Sequence, residues 1–305
     1  MKILLALDGS DRSLIARDLV AGLPWPAAAT VHVLTAYHVP TDWTGGVGST
    51  MAWVGDAEDA VRDQLDERLH DWASPLAAAG LTVAYGVHRG RPADVIASAA
   101  RELGADLVVM GSRGRGALKS MLLGSVATEV AMHAPCPVLV ARAPRITRLL
   151  VATDGSPHAA VVPAVLGALG VFREHPAVVI SVDVPEDPAF ELMVGLYTLG
   201  DDRLAELRRE SSRAAAVGAE EMVRRLAEVG ITATAHVRRG APADEILHAA
   251  REYDTDLVVT GSRGLGAMER MLLGSVARNV LIHASCSVLV ARAAPARQAP
   301  GGARS

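Results

Sequence analysis

The chain has 305 residues, half of them apolar, only 3% aromatic residues and a formal net charge of −4. That is enough apolar chain for two cores of ordinary size. The acidic balance gives no general basic field for nucleic acid, and the scarcity of aromatics gives no base-stacking platform.

In chain order, Lys2–Leu7 is an apolar run of the kind expected of a strand covered on both faces. Asp8 cuts it too early for a secretory signal. Asp8-Gly9-Ser10 forms a turn, and Ser10 or Asp11 can cap a helix running to about Leu23. Val31–Ala36 is a second strand, and Pro40–Gly55 a loop. Asp56–Ala79 has helical spacing, with Val61, Leu65, Leu69, Trp72 and Leu76 on one face. Leu81–Val87 alternates as a third strand. After Gly90-Arg91-Pro92, with Pro92 suited to a first helical turn, a helix runs to Leu103. Asp106–Met110 is a fourth strand. A glycine-rich loop follows, then a helix from about Met121 to His133, and a fifth strand over Cys136–Ala141. No apolar run reaches the roughly 18 residues of a membrane span.

The same order then repeats. GSRGRGALKSMLLGSVATEV from Gly111 and GSRGLGAMERMLLGSVARNV from Gly261 share 14 of 20 positions, a similarity expected of domain duplication. Gly261 follows Gly111 by 150 positions and Cys286 follows Cys136 by the same interval, whereas Asp154 follows Asp8 by 146. A period near 150 is too long for a solenoid unit. The division falls into a first domain over 1–144, a second over 145–293, and an Ala/Pro/Gly/Arg-rich tail over 294–305 that reads as disordered. Each copy alternates β and α five times, which implies a parallel sheet with helices on both faces: an α/β, doubly wound domain, twice. Such sheets bind ligands at the carboxyl ends of strands where the strand order reverses.

The duplicated loop has the spacing G-x2-G-x9-G-S. It leaves an apolar strand and enters a helix. Gly111 and Gly114, and Gly261 and Gly264, are expected to permit backbone conformations closed to other residues and close approach of a ligand to main-chain amides. Gly124-Ser125-Val126 and Gly274-Ser275-Val276 stand near a helix start, where free N–H groups attract anions. Together these parts make a phosphate cradle. The loop is not of the G-x4-G-K-[ST] type. Lys119 in the first copy is replaced by Glu269 in the second, so a lysine on the phosphates is not shared. Arg113 and Arg263 are shared and can pair with phosphate oxygens. Asp8 and Asp154, each ending a first strand, can accept from a ribose or base donor, help hold a divalent metal against phosphates, or simply cap the next helix.

A strand ending in Asp-Gly-Ser, the G-x2-G-x9-G-[ST] loop and the closing APCPVLV strand together resemble the universal stress protein family. The likeness covers nearly the whole chain, twice, and the full loop spacing is that of the family's ATP-binding branch. The resemblance implies a five-stranded parallel sheet in the order 3-2-1-4-5. It also implies ATP contacts from Asp8, Gly111, Gly114, Gly124, Ser125 and Val126, and from Asp154, Gly261, Gly264, Gly274, Ser275 and Val276. The family also sets a residue late in the second strand against the adenine, by position Ala36 and Val182. Valine is frequent there, so Ala36 departs from the pattern, and losing a branched side chain removes around 1 kcal/mol of burial. The first site is therefore expected to bind more weakly. The resemblance further implies pairing through fifth strands, within the chain or in a homodimer.

Function is expected to be nucleotide-dependent sensing or regulation in a stress response, with ATP and Mg²⁺ as ligands, in the cytoplasm, with no nucleic-acid or membrane partner and no committed reaction. The alternative is a slow Mg-dependent ATPase or another adenine-nucleotide enzyme of the same α/β group. Against that alternative, no SGGxDS, HxGH or KMSKS segment is present, nor a base and nucleophile at matching positions in both copies. Tyr37, Trp43, Trp53, Phe190 and Tyr197 gather around the loops after the second strands, where they could cover a nucleotide or pack locally. Cys136 and Cys286 lie outside any CxxC or Cys/His cluster and read as buried strand residues in a reduced compartment. His133 and His283 suit the last turn of a helix. Arg89 and Arg239 read as solvated turn residues.

Overall fold

The computed structural model describes residues 1–38, 51–114, 123–184, 201–263 and 273–293, with backbone alone over 51–57, 201–205 and at 207. Met1–Pro144 and Arg145–Arg292 each contain one compact unit.

In the first unit, β1 (Lys2–Ala6) lies between β2 (Thr30–Tyr37) and β4 (Leu107–Gly111), with β3 (Thr82–Arg89) outside β2 and β5 (Val138–Ala141) outside β4. All four pairings are parallel, so the strand order is the expected 3-2-1-4-5. The helices are α1 (Asp11–Gly22), α2 (Met51–Ala78), α3 (Pro92–Leu103) and α4 (Ser125–His133). α1 packs on α2 and α3 on α4, one pair on each face of the sheet. This burial on both faces is why the central strands read as unbroken apolar runs: Ile3, Leu5, Leu107, Val108 and Val109 have no accessible surface.

The second unit repeats the arrangement with β6 (Leu149–Thr153), β7 (Ala177–Asp183), β8 (Ala233–Arg239), β9 (Leu257–Gly261) and β10 (Ser287–Ala291). Its order is β8-β7-β6-β9-β10, again all parallel. The helices are α5 (Val162–Leu169), α6 (Asp201–Glu228), α7 (Pro242–Glu252) and α8 (Ser275–His283).

Several element boundaries differ from expectation; β5 starts at Val138 rather than Cys136, and β3 runs on to Arg89 rather than ending at Val87. α2 begins at Met51 rather than Asp56 and runs 28 residues. Such a helix is about 42 Å long, against roughly 27 Å for an eight-residue strand, so its apolar stripe overhangs the sheet. Leu69 and Leu76 are fully buried, while Val61 is 45% exposed. The helix keeps Pro75 inside it. Proline removes the N–H that would bond the Asp71 carbonyl, and the Ser74 hydroxyl donates to that carbonyl instead at 2.9 Å. α4 begins at Ser125, because Gly124 has extended backbone and stands as the N-cap. α5 begins only at Val162, after a turn, with Pro163 in its first turn, where a missing N–H costs nothing.

Cys136 and Cys286 form no disulfide and are buried, but they stand just before β5 and β10 rather than within the strands expected to hold them. Arg89 closes β3 and pairs with Glu58 at 3.0 Å, so it is an ion-pair partner rather than a solvated turn residue. No helix among the described residues is long and apolar enough to cross a membrane. Trp43, Phe190, Tyr197, Lys119, Gly264 and Glu269, the tail over 294–305 and the side chain of Trp53 lie outside what is described.

Candidate functional site

In each unit the strand order reverses between two neighbours, β1 and β4 in the first, β6 and β9 in the second. The crevice beyond their carboxyl ends is where an open α/β sheet accepts ligands. Asp8 follows β1 and Gly111 ends β4, so the acid and the glycine loop meet across that crevice by topology alone.

The acid is held by its own turn. Gly9 takes φ +73° and Gly155 φ +72°, a left-handed conformation that glycine adopts without steric cost. That turn brings the amide of Ser10 to 3.0 Å from Asp8 Oδ1, and the Ser10 hydroxyl donates to the same oxygen at 2.6 Å. Ser10 also caps α1 by accepting from the amide of Ser13 at 3.3 Å. In the second unit the amide of Ser156 donates to Asp154 Oδ1 at 3.0 Å, and Ser156 Oγ accepts from the amide of Ala159 at 3.1 Å. Serine is thus the cap in both units, and the aspartate is oriented by it rather than capping the helix itself.

Gly111, Gly114 and Gly261 are needed for space rather than for unusual backbone. Gly111, Gly114, Gly124, Gly261 and Gly274 all lie outside the positive-φ region, which corrects the expected reason for Gly111, Gly114 and Gly261. A Cβ at Gly111 would stand 2.5 Å from the carbonyl carbon and oxygen of Arg12. At Gly261 it would stand 2.6 Å from the His158 carbonyl oxygen. Both glycines therefore let the end of a strand press against the chain entering the first helix of the unit. At Gly114 a Cβ would stand 2.5 Å from Asp8 Oδ2, so this glycine makes room for the acid.

The far end of each loop is pinned. The Gly124 amide donates to the Ser112 carbonyl at 2.8 Å, and the Gly274 amide to the Ser262 carbonyl at 2.7 Å. Glycine as N-cap gives no side-chain oxygen to the amides of the first turn. The leading N–H groups of an α-helix have no intrahelical acceptor, so Ser125-Val126 and Ser275-Val276 present amides and a hydroxyl at a positive helix end.

The first crevice is a cavity of about 290 Å³ lined by Asp8, Ala36, Gly111, Arg113, Gly114, Gly124, Ser125 and Val126. The second is about 510 Å³ and is lined by Asp154, Val182, Gly261, Arg263, Gly274, Ser275 and Val276. Every expected site residue that is described therefore borders one of two equivalent cavities. Sequence reasoning missed Pro92 and Ile96, with Pro242 and Ile246, which form an apolar wall in both. Their identity at matching positions was the available signal. It also missed Asp183 and Ser211, which border the second cavity alone.

At the first site the position after Ala36 is Tyr37, whose hydroxyl donates to Glu58 at 3.2 Å. Burial first, then that carboxylate, push the phenol above its ordinary range. Among the described residues, the charged or titratable side chains bordering the first cavity are Asp8 and Arg113, and those bordering the second are Asp154, Asp183 and Arg263.

The chain is similar to known proteins. A universal stress protein of Mycolicibacterium smegmatis is 30% identical over 292 residues, covering 89% of this chain and 92% of that protein. One from Thermus aquaticus is 36% identical over 141 residues, which is 46% of this chain and 97% of its own length. The crystal structure of a universal stress protein from Archaeoglobus fulgidus superposes with TM-score 0.61 at 22% identity, covering 95% of this chain and 98% of that one, a likeness of fold. The family model described as Universal stress protein family matches residues 1–142 and again 145–292. The chain belongs to the universal stress protein family, as a tandem of two such domains.

Proposed function

We propose that each unit binds an adenine nucleoside triphosphate, ATP with Mg²⁺, and that occupancy rather than turnover is the output, so that the protein acts as a nucleotide-dependent sensor or regulator in a stress response. The observation that carries this is the duplicated cradle. Main-chain amides at the start of α4 and α8, the shared Arg113 and Arg263, and an oriented carboxylate border a cavity in each unit. Backbone amides at a helix start bind phosphate without a lysine.

Mg²⁺ is usually held by one or two carboxylates together with phosphate oxygens and water. Asp8 and Asp154 fit that demand, one per site. Among the described residues no three His, Cys, Asp or Glu side chains gather, so the ion is expected to enter with the nucleotide. The ion would neutralise phosphate charge; Asp8 and Asp154 would hold it, and the amides would orient the phosphates. In this reading the carboxylates and hydroxyls that border both cavities, Asp8 with Ser125 and Asp154 with Ser275, hold the ligand rather than act on it.

A melting experiment tests this. A ligand at 100 times its Kd stabilises the folded state by about 2.7 kcal/mol, or roughly 5–10 °C for a domain of this size. A shift with Mg-ATP is expected. No shift at millimolar ATP would contradict it.

A further inference from the structure

Among the described residues, the second cavity carries a buried carboxylate that the first does not. Asp183 is the last residue of β7 and 5% exposed. Its Oδ1 accepts from the hydroxyl of Ser211, and its Oδ2 from that of Ser212. Asp183 and Ser211 border the second cavity. A buried carboxylate is costly unless it is hydrogen-bonded, and the two serines both satisfy and orient it. A carboxylate has about four acceptor positions, so capacity remains toward the cavity.

Among its described residues, the first unit has no such set at the corresponding positions. Tyr37 occupies the corresponding strand position, as matching bonds show: the Gly90 amide donates to the Tyr37 carbonyl and the Gly240 amide to the Asp183 carbonyl. Counting back from Gly80 and Gly230, which close the long helices at the 150-residue interval, Ser211 and Ser212 correspond to Val61 and Arg62.

We propose that Asp183 is a specificity-determining residue of the second site, selecting nucleotides whose base carries an amino group. This rests on the nucleotide reading above. In the second unit the strands run β9, β6, β7, about 4.8 Å apart. Asp183 thus stands about 10 Å from the phosphate cradle at the end of β9, with Asp154 between them. Phosphates at β9 and ribose above β6 put the base over β7. There the carboxylate accepts from the exocyclic amine.

The test compares ATP with purine riboside triphosphate, which lacks only that amine, and with 2′-deoxyATP. Binding is measured by calorimetry on the full chain carrying Gly114→Val to block the first site, with melting as the check on folding. A hydrogen bond to a charged group is worth about 1.5–3 kcal/mol, so ATP is expected to bind about 10- to 150-fold tighter than the amine-free analogue. Asp183→Asn should cut that ratio to within about threefold while the protein still melts cooperatively. Should that variant not fold, Ser211→Ala with Ser212→Ala carries the same expectation, a ratio reduced by lost orientation. Equal binding of ATP and the analogue, or a ratio unchanged in every folded variant, overturns the role of Asp183 and leaves the nucleotide reading intact. Discrimination only against 2′-deoxyATP moves the carboxylate to the ribose and overturns the assignment to the base. Failure of all three nucleotides to bind, in this background and in the unsubstituted protein, overturns both.

Discussion

Replacing Gly111 by alanine is expected to destabilise the first unit with no nucleotide present. The new Cβ would lie 2.5 Å from the carbonyl carbon and oxygen of Arg12 and 2.7 Å from the Ser13 amide nitrogen. These are backbone atoms of the first turn of α1, so no rotamer change relieves the contact; β4 or α1 must move. Overpacking of this kind costs about 1–3 kcal/mol, which lowers the melting temperature by roughly 3–10 °C at this domain size. Gly124→Ala is the control. Its nearest neighbour would be Arg113 Cα at 3.4 Å, an ordinary contact, and the loss is limited to the N-cap preference of glycine over alanine, up to about 1 kcal/mol. Scanning calorimetry of the apo full-length chain reads both. Gly111→Ala melting with the parent protein, or Gly124→Ala falling further, would refute the claim that helix backbone occupies the space of a side chain at position 111.

Further outcomes follow from the same geometry. Ser10→Ala removes the cap on the Ser13 amide and should cost about 1 kcal/mol in denaturant unfolding, with a larger relative loss of ATP binding because Asp8 loses the hydroxyl that orients it; an unchanged affinity would contradict the orienting role. His32 has its pKa lowered, by burial first and then by the Lys2 charge. The unfolded chain therefore binds more protons just below pH 6.5, so this contribution to stability is present above that pH and is lost as pH falls toward the folded value. His32→Gln should flatten the acid limb of the stability profile between pH 7 and 5, and an unaltered limb would count against it. Ala36→Val should tighten the first site by up to about 1 kcal/mol of added burial, read as a fivefold lower Kd in site-resolved titration. Arg224→Ala, which breaks contacts to Glu221 and Glu228 on an exposed helix face, should leave the melting temperature indistinguishable from that of the parent protein, since exposed ion pairs are screened by solvent.

Much of the fold was legible because its signals are local. The runs at Ile3–Leu7 and Leu107–Met110 are apolar on both strand faces, and Pro92 and Ser10 punctuate helix starts where the backbone needs them. The meeting of Asp8 with Gly111 followed from strand order alone. What escaped the sequence depends on contacts distant in the chain. The reason for glycine at position 111 is the carbonyl of Arg12 pressed against it, which no spacing rule announces. Val61 fits the helical stripe yet stays exposed, because helix length and strand length are set separately. Nothing local in the sequence marks Asp183, because its partners Ser211 and Ser212, nearly thirty residues on, reach it only in the fold.

The most direct measurement counts nucleotides. Native mass spectrometry of the full chain with Mg-ATP should show two bound equivalents. Gly114→Val should remove one of them, and Gly114→Val with Asp154→Ala should leave less than one. A chain that carries no nucleotide at millimolar ATP, or one that keeps both equivalents in a folded Gly114→Val protein, would contradict a cradle of main-chain amides at each switch point.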